Sequence, residues 1–151
     1  MKLSLDIQYG VPKRGLPLKR DFLRWIEACL QAGVPGREKT SISLRIVDSH
    51  EMQQLNAAYR QKDKPTNVLS FPAGIPDGFP IPLLGDIVLC DEVIRKESME
   101  QGKATEAHWA HLTIHGTLHL LGYDHVAEAD ATEMEALETK ILQGLHYPSP
   151  Y

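Results

Sequence analysis

Residues 105–125 read TEAHWAHLTIHGTLHLLGYDH, and this stretch carries the predicted central helix of the fold. The pattern is strongly helical over Thr105 to Leu121, with apolar residues returning at intervals of three and four. Gly122 then stops the helix, because glycine readily adopts the left-handed conformation that ends helices. The stretch therefore predicts a long helix followed by a sharp turn.

Three histidines in this stretch have the spacing of ligands to a single metal ion. His115 and His119 are four residues apart, which places their Cβ atoms roughly 5–6 Å apart on one helix face. Two such imidazoles can bind one ion at about 2.0–2.1 Å each. A turn at Gly122 would bring His125 back as a third ligand. The sequence thus predicts one divalent ion per chain, zinc on grounds of abundance and geometry, with nickel or another divalent ion as alternatives.

The same histidine and glycine spacing occurs in metzincin metalloproteases, where three histidines leave the fourth position to water. Those enzymes carry a glutamate directly after the first histidine as general base, and this chain has Gly116 there. Three neutral imidazoles leave the charge of the ion to act on a bound water, lowering its pKa to around 7, so a separate base is less necessary. We therefore expect a metal-dependent hydrolase, and a metzincin-like peptidase only as an alternative.

Short strands and further helices are predicted on either side of this segment. The strands cover 3–9, 40–47, 66–71 and 86–90, and the other helices cover 18–32, about 48–59, 91–101 and 128–142. This order favours an α+β fold in which five or six helices pack on a small mixed four-stranded sheet. Asp48 or Ser49 is the predicted N-cap of the second helix, with Glu51 completing a capping box. We expect one domain over residues 1–151, with a loosely ordered tail at 147–151.

Charge and hydropathy narrow the class of protein. Residues 1–64 carry 12 basic and 7 acidic side chains (+5), and residues 65–151 carry 4 and 13 (−9), which sum to the net charge of −4. A basic face for nucleic acid is compatible with this asymmetry, and an ordinary solvated surface explains it equally well. No stretch approaches the roughly 18 apolar residues of a membrane span, and no export signal is evident, so we expect a cytoplasmic protein. Cys29 and Cys90 are predicted to be reduced core residues.

Other polar residues near the histidines have less specific predictions. His111 is in phase with the ligands, but a fourth histidine would close the site, so we expect it to support a ligand or belong to the core. His50 and His146 are predicted surface residues. Asp124 could accept an imidazole N–H or stabilise the turn, and Asp86 could orient a ligand or pair with a basic residue.

Three segments together resemble the YbeY family of bacterial endoribonucleases, over most of the chain from about Leu44 onward. They run from Leu55-Asn56 through Tyr59-Arg60 into KPTNVLSFP at 64–72, then LGDIV at 84–88, then the histidine stretch at 108–125. The last segment is highly specific, and the others are specific in combination. Members of the family carry Asp or Asn at the place of Asn67.

The resemblance implies a single YbeY-like endoribonuclease domain, specific for single strands and dependent on a metal. It would act in ribosomal RNA maturation, notably at the 3′ end of 16S rRNA, and in ribosome quality control. Its implied partners are single-stranded RNA, the ribosome or its small subunit, and assembly factors.

The resemblance also implies roles for individual residues. His115, His119 and His125 are the implied metal ligands, His115 is also catalytic, and Arg60 lies near the metal for activity. From the residues alone, the favoured interpretation of Arg60 is a helix-terminal arginine that complements the helix dipole, and only the resemblance overturns it. A non-catalytic assembly factor with a structural metal stays as an alternative, and either a bound water or the RNA 2′-hydroxyl could be the nucleophile.

Overall fold

A mixed sheet of four strands forms the framework of the protein. The computed structural model describes residues 2–36, 39–75, 82–124 and 127–151. Within them the strands are β1 (Lys2–Tyr9), β2 (Lys39–Val47), β3 (Val68–Pro72) and β4 (Leu83–Cys90). Their spatial order is β1-β2-β4-β3, with parallel pairing except between β3 and β4, which are antiparallel. The predicted small mixed sheet is confirmed, and β3 lies at its edge.

The bounds of β3 differ from the prediction at both ends. The strand begins at Val68 rather than at Thr66, and it extends to Pro72. Asn67 lies before the strand and donates its side-chain amide to Glu97 at 3.1 Å. Pro72 can belong to β3 because an edge strand tolerates a residue that has no backbone N–H to donate.

The described residues form five helices, at the places that the periodicity predicts. They are α1 (Lys19–Gly33), α2 (Ser49–Arg60), α3 (Asp91–Glu100), α4 (Thr105–Leu120) and α5 (Glu128–Gly144). Asp48 caps α2 by accepting the Glu51 N–H at 2.8 Å, as predicted. The second hydrogen bond of the predicted capping box, from the Asp48 backbone N–H to the Glu51 side chain, does not form. The Glu51 carboxylate binds the Arg45 guanidinium instead, at 2.6 and 2.8 Å.

Helix α4 lies at the centre of the fold and is buried on nearly every side. It packs against α1, α3, α5, β3 and β4. Its Trp109 is buried beside Phe22 of α1, with ring centroids 6.2 Å apart in an edge-on arrangement. A helix so enclosed cannot shift without opening the core, so the side chains of its last turns are held in fixed positions.

The opposite face of the sheet carries α2 and a smaller apolar cluster. Met52 of α2 packs there with residues of β2, β3 and β4, namely Val47, Leu69, Val88 and Cys90. Cys29 and Cys90 are both buried free thiols, as predicted, and burial raises the pKa of each. None of the helices in the described ranges has the length and apolar character needed to span a membrane.

Residues 147–151 make specific contacts with the helices. The Tyr147 hydroxyl accepts hydrogen bonds from Arg24 Nη2 at 2.9 Å and Trp25 Nε1 at 3.2 Å. Lys103 Nζ donates to the Pro150 carbonyl at 3.0 Å. The mobility of this tail stays a prediction, while its contacts place it against α1, α4 and α5.

Candidate metal centre

His115 and His119 lie one turn apart near the end of α4, with their imidazoles facing each other. Their Nε2 atoms are 3.1 Å apart. Two nitrogens that bind one ion tetrahedrally at about 2.05 Å each are about 3.3 Å apart. Both residues are half-buried, so the pair is reachable from solvent while its orientation is set by the helix. The geometry fits the helical half of the predicted ligand set.

Glu138 of α5 determines which nitrogen of His115 can bind an ion. This carboxylate is fully buried, and its Oε1 accepts a hydrogen bond from His115 Nδ1. Burial alone would raise the pKa of Glu138, but hydrogen bonds from His111 and His115 outweigh burial and lower that pKa to about 2. An ionised carboxylate must receive a proton from Nδ1, so a neutral His115 carries its lone pair on Nε2, toward His119.

A second grouping of potential ligand atoms lies just behind this pair. Ligand atoms of His111, His115 and Glu138 are within 4.8 Å of one another, so these three residues could also hold a metal ion. Their atoms are already engaged, because Glu138 Oε2 accepts from His111 Nε2 at 3.1 Å and from the Tyr151 hydroxyl. In this arrangement Glu138 and His111 can support His115, whose Nε2 is then directed toward Nε2 of His119.

The turn after α4 has the conformation that the sequence predicts. Gly122 has a φ of 100°, the left-handed region that glycine occupies without strain. Asp124 follows on the surface and lines the cleft described below. His125 lies outside the described residues, so its role as the third ligand stays a prediction.

A cleft of about 530 Å³ opens in front of the two imidazoles. Its walls are the start and inner side of β3, the end of α4 with the following turn, and the end of α2. The lining residues that carry polar side chains are Arg60, Thr66, Asn67, Ser70, His115, His119, Tyr123 and Asp124. The structure thus brings Arg60 into the same cleft as two of the predicted ligands, although 55 positions separate Arg60 from His115 in the sequence.

Arg60 is the last residue of α2 and is fixed at the wall of this cleft. Its Nη2 donates to the Ser70 carbonyl at 2.9 Å, and its guanidinium carbon lies 5.2 Å from the centroid of the Phe71 ring. Within the described ranges Arg60 forms no ion pair with a carboxylate. The guanidinium therefore brings a positive charge to the cleft, and β3 holds it in place.

Gly116, which stands where a metzincin would have its glutamate, is packed against the sheet. A Cβ atom at this position would lie 3.1 Å from Ile87 Cγ2, 3.1 Å from Ser70 Oγ and 3.2 Å from Val68 Cγ2. In addition, Ser70 Oγ donates to the Gly116 carbonyl at 2.9 Å. The space for a peptidase base is thus filled by β3 and β4.

Because of this packing, Gly116→Val should destabilise the protein by about 2 kcal/mol, since added methyl groups overpack the contact between α4 and the sheet. Urea denaturation measures the free energy of unfolding. Gly144→Val is the matched control, because a Cβ at Gly144 meets nothing within 4 Å. Equal stability of the two variants would contradict the close packing at Gly116.

Other polar residues from the sequence lie outside the cleft or beside it. Asp86 is exposed and lines a groove on the opposite face of the sheet, formed with α2. His50 and His146 are exposed, as predicted. His108 is buried and contacts Glu97 at 2.9 Å, and Glu97 also accepts from Asn67. Asn67 is thus joined to α3 and α4 through its amide.

Sequence reasoning missed Glu138, although the sequence contains a signal for it. Glu138 follows Met134 by four residues and precedes Ile141 by three, which places it on the apolar face of α5. A carboxylate on an otherwise apolar face is rarely buried without a partner. His111 and His115 on the neighbouring buried helix α4 are such partners.

Comparison with known proteins identifies a family and a similar solved structure. The family model described as "Endoribonuclease YbeY" matches residues 13–146. Among solved structures, the solution structure of TM1509 from Thermotoga maritima is similar, with a TM-score of 0.63 and 26% sequence identity. The match covers 92% of this chain and 87% of that chain. The family match includes β3 at the edge of the sheet and α4, which together line the cleft.

Proposed function

Because the chain belongs to the YbeY endoribonuclease family, we propose that it is a metal-dependent endoribonuclease that cleaves single-stranded RNA. The observation that carries this proposal is the cleft in which Arg60 and the imidazoles of His115 and His119 lie together. A permanent positive charge beside a metal-binding pair suits a phosphodiester, which gathers negative charge on its non-bridging oxygens during attack.

The proposed metal ligands are His115, His119 and His125, and the proposed ion is zinc, with nickel or another divalent ion as alternatives. Support comes from the 3.1 Å separation of the two Nε2 atoms and from the acceptor that holds His115 Nδ1. When bound, such an ion supplies a Lewis acid that polarises a phosphate oxygen and lowers the pKa of the attacking hydroxyl. His115 and His119 contribute by presenting their lone pairs to one point at the floor of the cleft.

Arg60 is proposed to bind the phosphate that undergoes cleavage. Its planar guanidinium has five N–H donors, and the Ser70 carbonyl uses only one of its nitrogens in the structure. The remaining donors can bind two non-bridging oxygens as they become more negative. The Phe71 ring and the Ser70 carbonyl orient the guanidinium toward the cleft, which reduces the reorganisation needed when the substrate binds.

A single-stranded substrate suits the form of the site. His115 and His119 are half-buried at the back of a cleft, and a flexible strand can bend a phosphate inward to reach them. A duplex holds its phosphates on a stiff A-form cylinder, which a cleft between a sheet edge and a helix accommodates poorly. The Thr66 hydroxyl and the side-chain oxygen of Asn67, whose amide nitrogen is bonded to Glu97, offer hydrogen bonds to the backbone or bases of a single strand.

From family membership we further propose a cellular role. The substrate would be ribosomal RNA, notably the 3′ end of 16S rRNA, and the protein would also act in quality control of defective ribosomes. Its partners would be the ribosome or its small subunit together with assembly factors, and its place the cytoplasm. The excess of basic side chains in residues 1–64 would then help to steer the protein to RNA despite its net negative charge.

Two other functions were open from the sequence. The packing around Gly116 disfavours a metzincin-like peptidase, since the position of its general base is occupied by Ser70, Ile87 and Val68. A non-catalytic assembly factor with a structural metal predicts that the metal-loaded protein binds RNA and leaves it intact. Structural zinc sites usually have four protein ligands, whereas three histidines leave one position for the substrate or water.

The test of this proposal is cleavage of a labelled single-stranded RNA by metal-analysed protein, compared with Arg60→Gln. We expect Arg60→Gln to lower the cleavage rate by about 10²-fold, since one charged donor to the transition state is lost, while metal content stays the same. Arg20→Gln is the control, because Arg20 is an exposed arginine of α1 outside the cleft. Absence of cleavage by the metal-loaded parent protein would overturn the nuclease and favour the assembly factor.

A further inference from the structure

Glu138 is a fully buried carboxylate on the apolar face of α5, where it lies among core residues. Burying an ionised carboxylate is costly unless hydrogen bonds replace its water. Here three donors from two parts of the chain converge on it, namely His111, His115 and Tyr151. A buried carboxylate generally destabilises a core, so the contact between Glu138 and the predicted metal ligand His115 needs a functional explanation.

The two oxygens of Glu138 have different partners. Oε1 accepts from Nδ1 of His115, whereas Oε2 accepts from His111 Nε2 and from the Tyr151 hydroxyl. The pair of donors on Oε2 prevents the carboxylate from rotating about its terminal bond. Oε1 is therefore held toward His115, which fixes both the ring orientation and the tautomer of that imidazole.

Tyr151 combines a largely exposed side chain with a buried contact. The residue is 62% exposed, yet its hydroxyl reaches Glu138, and its ring lies edge-on to the His111 ring at 5.5 Å between centroids. The preceding carbonyl, of Pro150, is held by Lys103 at 3.0 Å. The tail thus brings a hydroxyl group to the carboxylate behind the metal centre, from a position beyond the family match at 13–146.

We propose that Glu138 and Tyr151 are positioning residues of the metal centre, with Glu138 holding His115 and Tyr151 holding Glu138. The inference rests on the proposed metal site of His115 and His119. Neither residue contacts the substrate in this scheme. Each acts by keeping Nε2 of His115 as a ligand aimed toward His119, so that the ion meets a site that needs no rearrangement.

The first test measures zinc affinity by competition with a chromophoric chelator, in the absence of RNA. Glu138→Gln should weaken zinc binding by roughly 10- to 100-fold, and Tyr151→Phe should weaken it by roughly 3- to 10-fold. Tyr147→Phe is the matched control, because it removes a hydroxyl that contacts Arg24 and Trp25 rather than Glu138, and it should bind zinc as the parent does. Unchanged zinc affinity in a folded Tyr151→Phe protein would overturn the role of the tail.

The second test reads the tautomer of His115 directly in metal-free protein, by NMR of the imidazole nitrogens. The parent should show a proton on Nδ1, and Glu138→Leu, which has no acceptor for this proton, should show a mixture of the two tautomers. An unchanged Nδ1–H signal in Glu138→Leu would overturn the role of Glu138. If Glu138→Leu does not fold, Glu138→Gln replaces it, and its weaker amide acceptor should still raise the fraction of His115 protonated on Nε2; an unchanged fraction would overturn the role.

The two tests separate this inference from the proposed function. A parent protein that binds zinc and cuts no RNA refutes the nuclease but leaves the comparison of zinc affinities intact. A parent that cuts RNA, with zinc affinity unaffected by either substitution, refutes the positioning roles alone.

Discussion

His119→Ala should lose the bound ion and lower the cleavage of single-stranded RNA by about 10³-fold or more. His119 Nε2 lies 3.1 Å from His115 Nε2, so its removal takes away one of the two ligands that the helix supplies. A bound ion stabilises the transition state by several kcal/mol, and each 1.36 kcal/mol corresponds to about tenfold in rate. Metal analysis after dialysis, together with initial rates of RNA cleavage, measures both effects.

The matched control is His146→Ala, which removes an exposed histidine away from the cleft. It should retain the metal content and the cleavage rate of the parent protein. If His119→Ala were metal-free and still cut RNA at the parental rate, the ion would have no part in the reaction, and the proposed mechanism would be wrong.

Gly85→Ala should destabilise the protein by about 3 kcal/mol or more, the largest stability effect that we expect from adding one methyl group. Gly85 has a φ of 153°, and a Cβ there would lie against the Phe71 carbonyl oxygen, 2.8 Å from Leu120 Cδ2 and 3.0 Å from Pro72 Cα. Two of these three neighbours are backbone atoms, which cannot turn away as a side chain can, so the strain stays in the fold. Urea denaturation of the parent and the variant measures the difference.

The same substitution should also disturb the cleft. Gly85 pairs with Pro72 where β3 joins β4, and Leu120 is the last residue of α4. A methyl group at Gly85 would push β3, which contacts Arg60, away from α4, which carries His119. Gly144→Ala is the control, since a Cβ at Gly144 meets open space and replacing glycine in a helix usually stabilises it by up to about 1 kcal/mol. A Gly85→Ala protein as stable as the parent would contradict the close approach.

The sequence predicted most of the fold because long periodic segments determine it. The alternation in β2 predicts that Ile42, Leu44 and Ile46 are buried, and all three are. The spacing along α4 likewise predicts a buried helix. One difference arises where a side chain has a competing partner on a neighbouring element. Glu51 is at the right spacing for a capping box, but it binds Arg45 of β2, and no local pattern shows that Arg45 will be near.

How well the sequence alone predicted each residue's place in the site differs from residue to residue. His115 and His119 follow from spacing on one helix, since helical geometry alone places them together. Arg60 depended on the family resemblance, because its approach to the histidines requires β3 to lie between α2 and α4. Glu138 was missed because its partners lie on α4 and in the C-terminal tail, and its place on the apolar face of α5 becomes informative only when His111 and His115 are considered with it.

Ser70 joins the two halves of the cleft through one residue. Its carbonyl holds Arg60, and its hydroxyl is bonded to Gly116, the residue next to His115. One residue of β3 therefore contacts both the guanidinium of Arg60 and the backbone next to His115. A hydrogen-bonded strand, rather than a loop, sets the spacing between the positive charge and the imidazole. A shift of β3 would therefore change the separation between the guanidinium of Arg60 and the imidazole of His115, and with it the fit of a phosphodiester in the cleft.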